Sequence, residues 1–150
     1  MTGTGGQNPA IYRVLKDVLE RQAEVVTVRF EPDSIQRRYL AAEIDPSRVV
    51  PPTGPEAPSI EVHWKTTPPH NEFRIDYHDP NTGFHCGWHQ DDDYDALGAA
   101  HFQYQTGEME EPEREGTRFK AGSPARILWQ CCDRLFEDVL GDLSRDAVRD

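Results

Sequence analysis

This chain contains little lysine: three lysines stand against thirteen arginines, and acidic residues outnumber both together, for a net charge of −11. A surface rich in carboxylates and poor in lysine is typical of proteins that stay soluble in concentrated salt. At about 1 M salt the electrostatic screening length falls to about 3 Å, so net charge no longer indicates which partners a protein avoids. We therefore expect a salt-adapted, halophilic source, and nucleic acid is not excluded as a partner.

Long apolar runs are missing as well, and cysteine is scarce. No stretch reaches the length of about eighteen apolar residues that a membrane-spanning helix needs, so we expect no membrane partner. The three cysteines are an odd number and form no C-x-x-C pair, which predicts reduced thiols rather than a zinc knuckle. Residues Met1–Gln7 are polar and glycine-rich and have no features of a secretory signal. The expected location is cytoplasmic.

The periodicity of apolar residues predicts two helices around a run of strands. Asn8 and Pro9 begin the first helix, while Ser123 and Pro124 begin the last, which Gly141 should end. Alternating apolar residues predict the strands between them: Val25–Phe30, Gln36–Ile44, Ile60–Lys65, Glu72–His78, Phe84–Gln90 and Ala100–Gln105. The charged run at residues 107–116 is expected to be mobile and without regular structure.

The predicted fold class is α+β: an antiparallel sheet of five or six strands, with an N-terminal and a C-terminal helix packed on one face. A chain of 150 residues is about the size of one domain. We expect disordered tails at residues 1–7 and 142–150. The five prolines of residues 45–59 predict a loop there.

All six histidines lie within residues 63–101, and most of them should share one face of the sheet. Successive side chains of a strand point to opposite faces, so the aromatic residues of these strands would point inward to the helices. The opposite, water-facing side would then carry a cluster of histidines with one arginine and one aspartate: His63, Arg74, Asp76, His78, His85, His89 and His101.

The turn lengths predict the register of these strands, because paired residues must share a face. The turn at residues 80–83 pairs His78 with His85, Asp76 with Gly87 and Arg74 with His89. The preceding turn pairs His63 with Arg74, and a pairing of His89 with His101 completes a row. Neighbours in such a row are about 5 Å apart. Because Gly87 has no side chain, we expect it to leave room for a ligand beside the row.

An arginine held between histidines suits a phosphate or carboxylate ligand, with the guanidinium as a fork and imidazoles as acid and base. Metal-independent RNA cleavage needs such groups and no cofactor. The candidate catalytic residues are therefore His89, His101, Arg74 and His63, and the candidate ligand-binding residues are His78, His85 and Asp76.

Three other interpretations stay open. A metal could be held across strands by His78 and His85, with Asp76 as a further ligand. The face could instead be a non-catalytic interaction surface, or the contact of a homodimer. Histidine also serves as an ordinary solvated residue on a strand, particularly where lysine is scarce.

From Ile60 to about residue 140, the order of elements resembles the TumE family of small toxin–antitoxin proteins. The matching pieces are the strand Ile60–Trp64, the strand Phe73–Tyr77, the segment with His85, His89 and His101–Gln103, and the closing helix. The positions that this resemblance carries over are His63, Arg74, Asp76, His89 and His101. It implies action on RNA or a nucleotide phosphate, and a small antitoxin-like protein as a partner.

Overall fold

The computed structural model describes residues 9–31, 39–65, 71–90, 100–119 and 122–144. In chain order the elements are α1 (Pro9–Glu20), β1 (Val25–Glu31), β2 (Tyr39–Ile44), a short 3-10 helix (Pro46–Arg48), β3 (Ser59–Lys65), β4 (Glu72–His78), β5 (His85–Gln90), β6 (Ala100–Gln105), β7 (Glu113–Thr117), α2 (Pro124–Asp133) and a π-helix (Arg134–Ser144) that continues α2.

The strands form one seven-stranded sheet in which spatial order follows chain order from β1 to β7. Every neighbouring pair is antiparallel. This confirms the α+β class and the antiparallel sheet, but the predicted count of five or six strands was too low. The missed strand is β7, in the segment expected to be without structure. Its sequence EREGT is charged on both faces and has no apolar alternation. An edge strand tolerates such residues because only one side pairs with the sheet.

The inward face of the sheet packs against both helices. Leu15 and Leu19 of α1 and Leu128 of α2 are buried, and so are the inward-facing aromatic residues that alternation predicted: Trp64, Phe73, Tyr77, Phe84 and Trp88. Ser123 caps α2 by accepting a hydrogen bond from the Arg126 N–H, and Pro124 occupies its first turn. These apolar residues thus have the burial that their helical or strand periodicity predicts.

Tyr12 of α1 completes the backbone hydrogen bonding of β3. Its hydroxyl accepts from the Trp64 N–H at 2.9 Å and donates to the Trp64 C=O at 3.1 Å. Among the described residues, the pairing of β3 with β2 ends at Val62, opposite Leu40. The tyrosine therefore supplies partners for both backbone groups of Trp64, beyond the described pairs of β2 with β3.

The C-terminal helix does not end at Gly141, as the sequence predicted, but continues to Ser144. A glycine ends a helix by adopting a left-handed conformation, with positive φ. Among the described glycines only Gly54 and Gly83 have positive φ. Gly141 thus remains helical, and residues 142–144, expected in a disordered tail, belong to the helix.

The three cysteines are free thiols in the core. Burial raises the pKa of each of them, to about 12 for Cys132. They are packing residues in this environment, because the thiolate is the nucleophilic form. Within the described residues, no helix has the length and apolar character needed to cross a membrane.

The proline-rich loop is fastened to the turn between β4 and β5 by Asn81. The side-chain amide of Asn81 donates to the Glu56 C=O at 2.8 Å and accepts from the Glu56 N–H at 2.9 Å. It also donates to the buried carboxylate of Asp79 at 2.9 Å. Gly54 passes so close that a β-carbon there would lie 2.5 Å from Asn81 Oδ1. One side chain therefore joins two loops that are far apart in sequence.

We expect Asn81→Ala to lower the free energy of unfolding by about 1–3 kcal/mol, because it leaves Asp79 and the Glu56 backbone without these partners. Urea denaturation measures the change. Glu56→Ala is the matched control, since only the backbone of this exposed residue contacts Asn81. Equal stability of the Asn81→Ala and Glu56→Ala variants would show that the two loops do not depend on this amide.

Candidate functional site

The predicted row of polar side chains exists on the face of the sheet opposite α1 and α2. His63 pairs with Arg74, Arg74 with His89, and His89 with His101. The predicted pairings of His78 with His85 and of Asp76 with Gly87 are also confirmed. We call His63, Arg74, His89 and His101 the histidine–arginine row.

Two members of this row are not water-facing, which corrects the expectation of an exposed cluster. His89 and His101 are each only 2% exposed. Of the residues in β5, only the terminal His85 and Gln90 are more than slightly exposed. Strand alternation predicts on which face of the sheet a side chain lies, but it does not predict whether other parts of the chain cover that face. The roles proposed for His89 and His101 must therefore be compatible with buried imidazoles.

Asp76 is the partner of His89. The His89 Nε2 lies 2.6 Å from Asp76 Oδ1, the distance of a charge-assisted hydrogen bond. The two residues are diagonal neighbours, because the residue directly opposite Asp76 is Gly87. We call Asp76 and His89 the carboxylate–histidine pair. Strand alternation predicts that both residues lie on this face, but it does not predict their contact. The one feature of the sequence that could have indicated the contact is a carboxylate opposite a glycine.

Gly87 makes room for this pair and not for a ligand, contrary to the prediction. A β-carbon at this position would lie 2.2 Å from Asp76 Oδ1 and 2.9 Å from the Ile75 carbonyl oxygen. The Asp76 carboxylate, which contacts His89, thus occupies the space that a side chain at position 87 would need.

His101 packs edge-on against His89, with ring centroids 5.1 Å apart and an interplanar angle of 84°. Its Nε2 lies 3.3 Å from Gln103 Oε1. His101 therefore contacts the imidazole that holds Asp76, on the side away from Arg74.

A cleft of about 390 Å³ opens beside the row. Ligand pockets in proteins typically measure about 300–1,000 Å³. Three predicted site residues and four others line it: His63, Arg74 and Asp76, with Lys65, Glu72, Phe73 and Gln90. The cleft thus brings two cations and two carboxylates together, whereas His89, His101, His78 and His85 are not among the residues of its wall.

His63 is stacked on the ring of Tyr39, a contact that the strand pattern does not predict. The rings of His63 and Tyr39 have centroids 4.4 Å apart and are inclined by only 18°. Burial is the main cause that lowers the pKa of His63 below its ordinary value, despite the neighbouring Glu61 and Asp76 carboxylates. The imidazole is consequently mainly uncharged at neutral pH.

The metal hypothesis lacks a ligand set in the described part of the chain. No three His, Cys, Asp or Glu side chains there are grouped so that they could hold a metal ion. His78 and His85 are neighbours, but they do not form such a set with Asp76. His70 lies outside the described residues, as does the acidic segment 91–98.

Fold and site together define an α+β protein whose seven-stranded antiparallel sheet carries a carboxylate–histidine pair beside a cleft with two cationic side chains. No family model, curated protein or solved structure matches the chain. The resemblance to the TumE family and the halophilic source therefore stay predictions.

Proposed function

We propose that the cleft binds a compact phosphate-bearing ligand, a nucleotide or a segment of RNA, and that the carboxylate–histidine pair serves proton transfer on it. This proposal rests on one observation. Arg74, Lys65 and Asp76 line the same cleft, and Asp76 Oδ1 lies 2.6 Å from His89 Nε2.

Arg74 and Lys65 supply the attraction for the phosphate. A guanidinium presents a planar fork that matches two phosphate oxygens, while an ammonium acts as a point charge. Glu72 and Asp76 lie in the same wall, and the whole chain is acidic. Such mixed charge favours one well-placed phosphate over a long polyanion, which would meet carboxylates on either side of the two cations.

Asp76 is the group of the pair that a ligand can contact. Its side chain is 38% exposed, whereas that of His89 is 3% exposed. We assign proton abstraction to the Asp76 carboxylate. His89 has a positioning role, because it donates a hydrogen bond to Asp76 Oδ1 from the buried side. His101 supports the His89 ring from its edge. On RNA, the carboxylate would take the proton of a 2′-hydroxyl, whose oxygen attacks the adjacent phosphorus. The 5′-oxygen leaves and takes a proton from solvent.

The binding step is tested with inorganic phosphate and a short RNA, titrated calorimetrically at constant high salt. We expect Arg74→Ala to weaken the binding of both by about tenfold or more, since a hydrogen bond to a charged group contributes about 1.5–3 kcal/mol. Arg13→Ala is the matched control, because it removes the same charge from an exposed position on α1. Equal affinities for these two variants would contradict the proposal.

The activity is tested by expression toxicity and by RNA cleavage in high salt. Native protein should slow growth and cleave RNA, and both Arg74→Ala and Asp76→Asn should remove these effects while the proteins stay folded. If neither effect occurs with native protein, the catalytic part of the proposal fails. The non-catalytic interaction surface or homodimer contact is then the function that the same face supports.

A further inference from the structure

The histidine–arginine row extends beyond His63 to an aromatic ring. Continuing the register of β2 with β3, in which Leu40 pairs with Val62, places Tyr39 opposite His63. Tyr39 in turn pairs with Glu31 of β1. The order on the face opposite α1 and α2 is therefore Tyr39, His63, Arg74, with an aromatic pair directly beside the arginine.

The stacked pair of His63 and Tyr39 borders the cleft through His63. This imidazole lines the same wall as Arg74 and Lys65, and its side chain is 45% exposed. Arg74 is its cross-strand neighbour, at about 5 Å, and Lys65 lies two residues further along β3, at about 6.6 Å. A flat ring and two phosphate-binding groups are thus within the span of one nucleotide.

From this arrangement we infer that the ligand is a nucleoside phosphate, whose base stacks on the His63–Tyr39 pair while its phosphate contacts Arg74 and Lys65. The inference rests on the proposed function, because it names the class of phosphate-bearing ligand that the same cleft would take.

Stacking is the interaction that suits these rings. Every nucleobase has a π-face, so an aromatic platform binds bases with little dependence on sequence. His63 and Tyr39 already lie parallel to one another, which means that a base added on the cleft side continues an existing stack at little cost in side-chain ordering. The uncharged state of the imidazole favours this further, because a neutral ring loses less hydration when it is covered. A sugar phosphate would use Arg74 and Lys65 but leave the platform uncovered.

The experiment compares AMP with ribose 5-phosphate, which carries the same phosphate and sugar without a base. We expect AMP to bind native protein about fivefold to a hundredfold more tightly, the range that base–aromatic stacking produces. His63→Ala removes the ring that the base contacts and should abolish the preference for AMP over ribose 5-phosphate. Tyr39→Ala should lower the affinity for AMP more than the affinity for ribose 5-phosphate, because Tyr39 supports the His63 ring without itself lining the cleft. Tyr39→Phe is the matched control and should keep the preference, because it retains the ring.

Equal binding of AMP and ribose 5-phosphate by native protein would overturn the inference and leave the proposed function standing. If Tyr39→Ala lowers the affinities for AMP and ribose 5-phosphate equally, the inference is overturned as well, because the substitution would then disturb the whole cleft. If neither ligand nor inorganic phosphate binds, the proposed function itself fails.

A five-residue oligoadenylate distinguishes RNA from a free mononucleotide as the ligand. If the cleft binds RNA, the oligoadenylate should bind at least as tightly as AMP. If the cleft binds a mononucleotide, the oligoadenylate should bind more weakly. Both results support stacking, provided that AMP exceeds ribose 5-phosphate.

Discussion

Gly87→Ala is expected to lower the free energy of unfolding by about 3 kcal/mol or more, an unusually large effect for one methyl group. The new β-carbon would lie 2.2 Å from Asp76 Oδ1, so the carboxylate would have to move away from His89. His89 is buried and would lose this partner. The Ile75 carbonyl oxygen, at 2.9 Å, belongs to the backbone and cannot rotate aside. Urea or thermal denaturation measures the loss.

A double-mutant cycle separates the displacement of Asp76 from the close approach to the Ile75 carbonyl oxygen. In an Asp76→Ala background, Gly87→Ala should cost less, because only the contact with the Ile75 carbonyl remains. We expect a coupling of about 1–3 kcal/mol between positions 76 and 87. Gly122→Ala is the control, since none of the described residues lies within 4 Å of a β-carbon there. Similar stability of the Gly87→Ala and Gly122→Ala variants would refute the close approach of Asp76.

The second large effect is expected for Tyr12→Phe, which should cost about 2–4 kcal/mol. The substitution keeps the ring but removes the hydroxyl that serves both the N–H and the C=O of Trp64. These backbone groups belong to a residue that is 1% exposed, so water would not readily replace the lost partner. Burial also raises the pKa of Tyr12, which keeps its hydroxyl protonated and able to donate.

Tyr104→Phe is the control for this prediction. It removes the same hydroxyl from a half-buried ring of β6 that packs against Phe102. The comparison is made by chemical denaturation, with hydrogen exchange of the Trp64 amide as a local measurement. Faster exchange at Trp64 in Tyr12→Phe alone would support the assignment, and equal stability of the two tyrosine variants would contradict it.

The pairing of the strands could be predicted because two local rules suffice for it. Alternation assigns each side chain to a face, and the four-residue turn at 80–83 allows only one register with that assignment. The bond from the Asp79 N–H to the Phe84 C=O, at 2.9 Å, closes this turn as expected. Hence the pairs His63–Arg74, Arg74–His89 and His78–His85 were predicted without any knowledge of the three-dimensional structure.

The carboxylate–histidine pair and the cleft could not be predicted in the same way. Asp76 reaches His89 along a diagonal, and that contact depends on rotamers and on sheet twist, which strand parity does not describe. The stack of His63 on Tyr39 likewise depends on the pairing of β2 with β3 across a long connection. β7 was missed because a charged edge strand has no apolar periodicity to reveal it.

The amino-acid sequence by itself therefore determined the α+β class, the antiparallel pairing and the face on which the histidines and Arg74 lie. These properties follow from side-chain alternation and turn length, which act between near neighbours in the chain. Only the tertiary structure decided that His89 and His101 are buried, that Asp76 stands between His89 and the cleft, and that Gly87 serves this contact. Burial and diagonal contacts depend on the twist of the sheet and on which parts of the chain cover each face, and no local pattern contains that information.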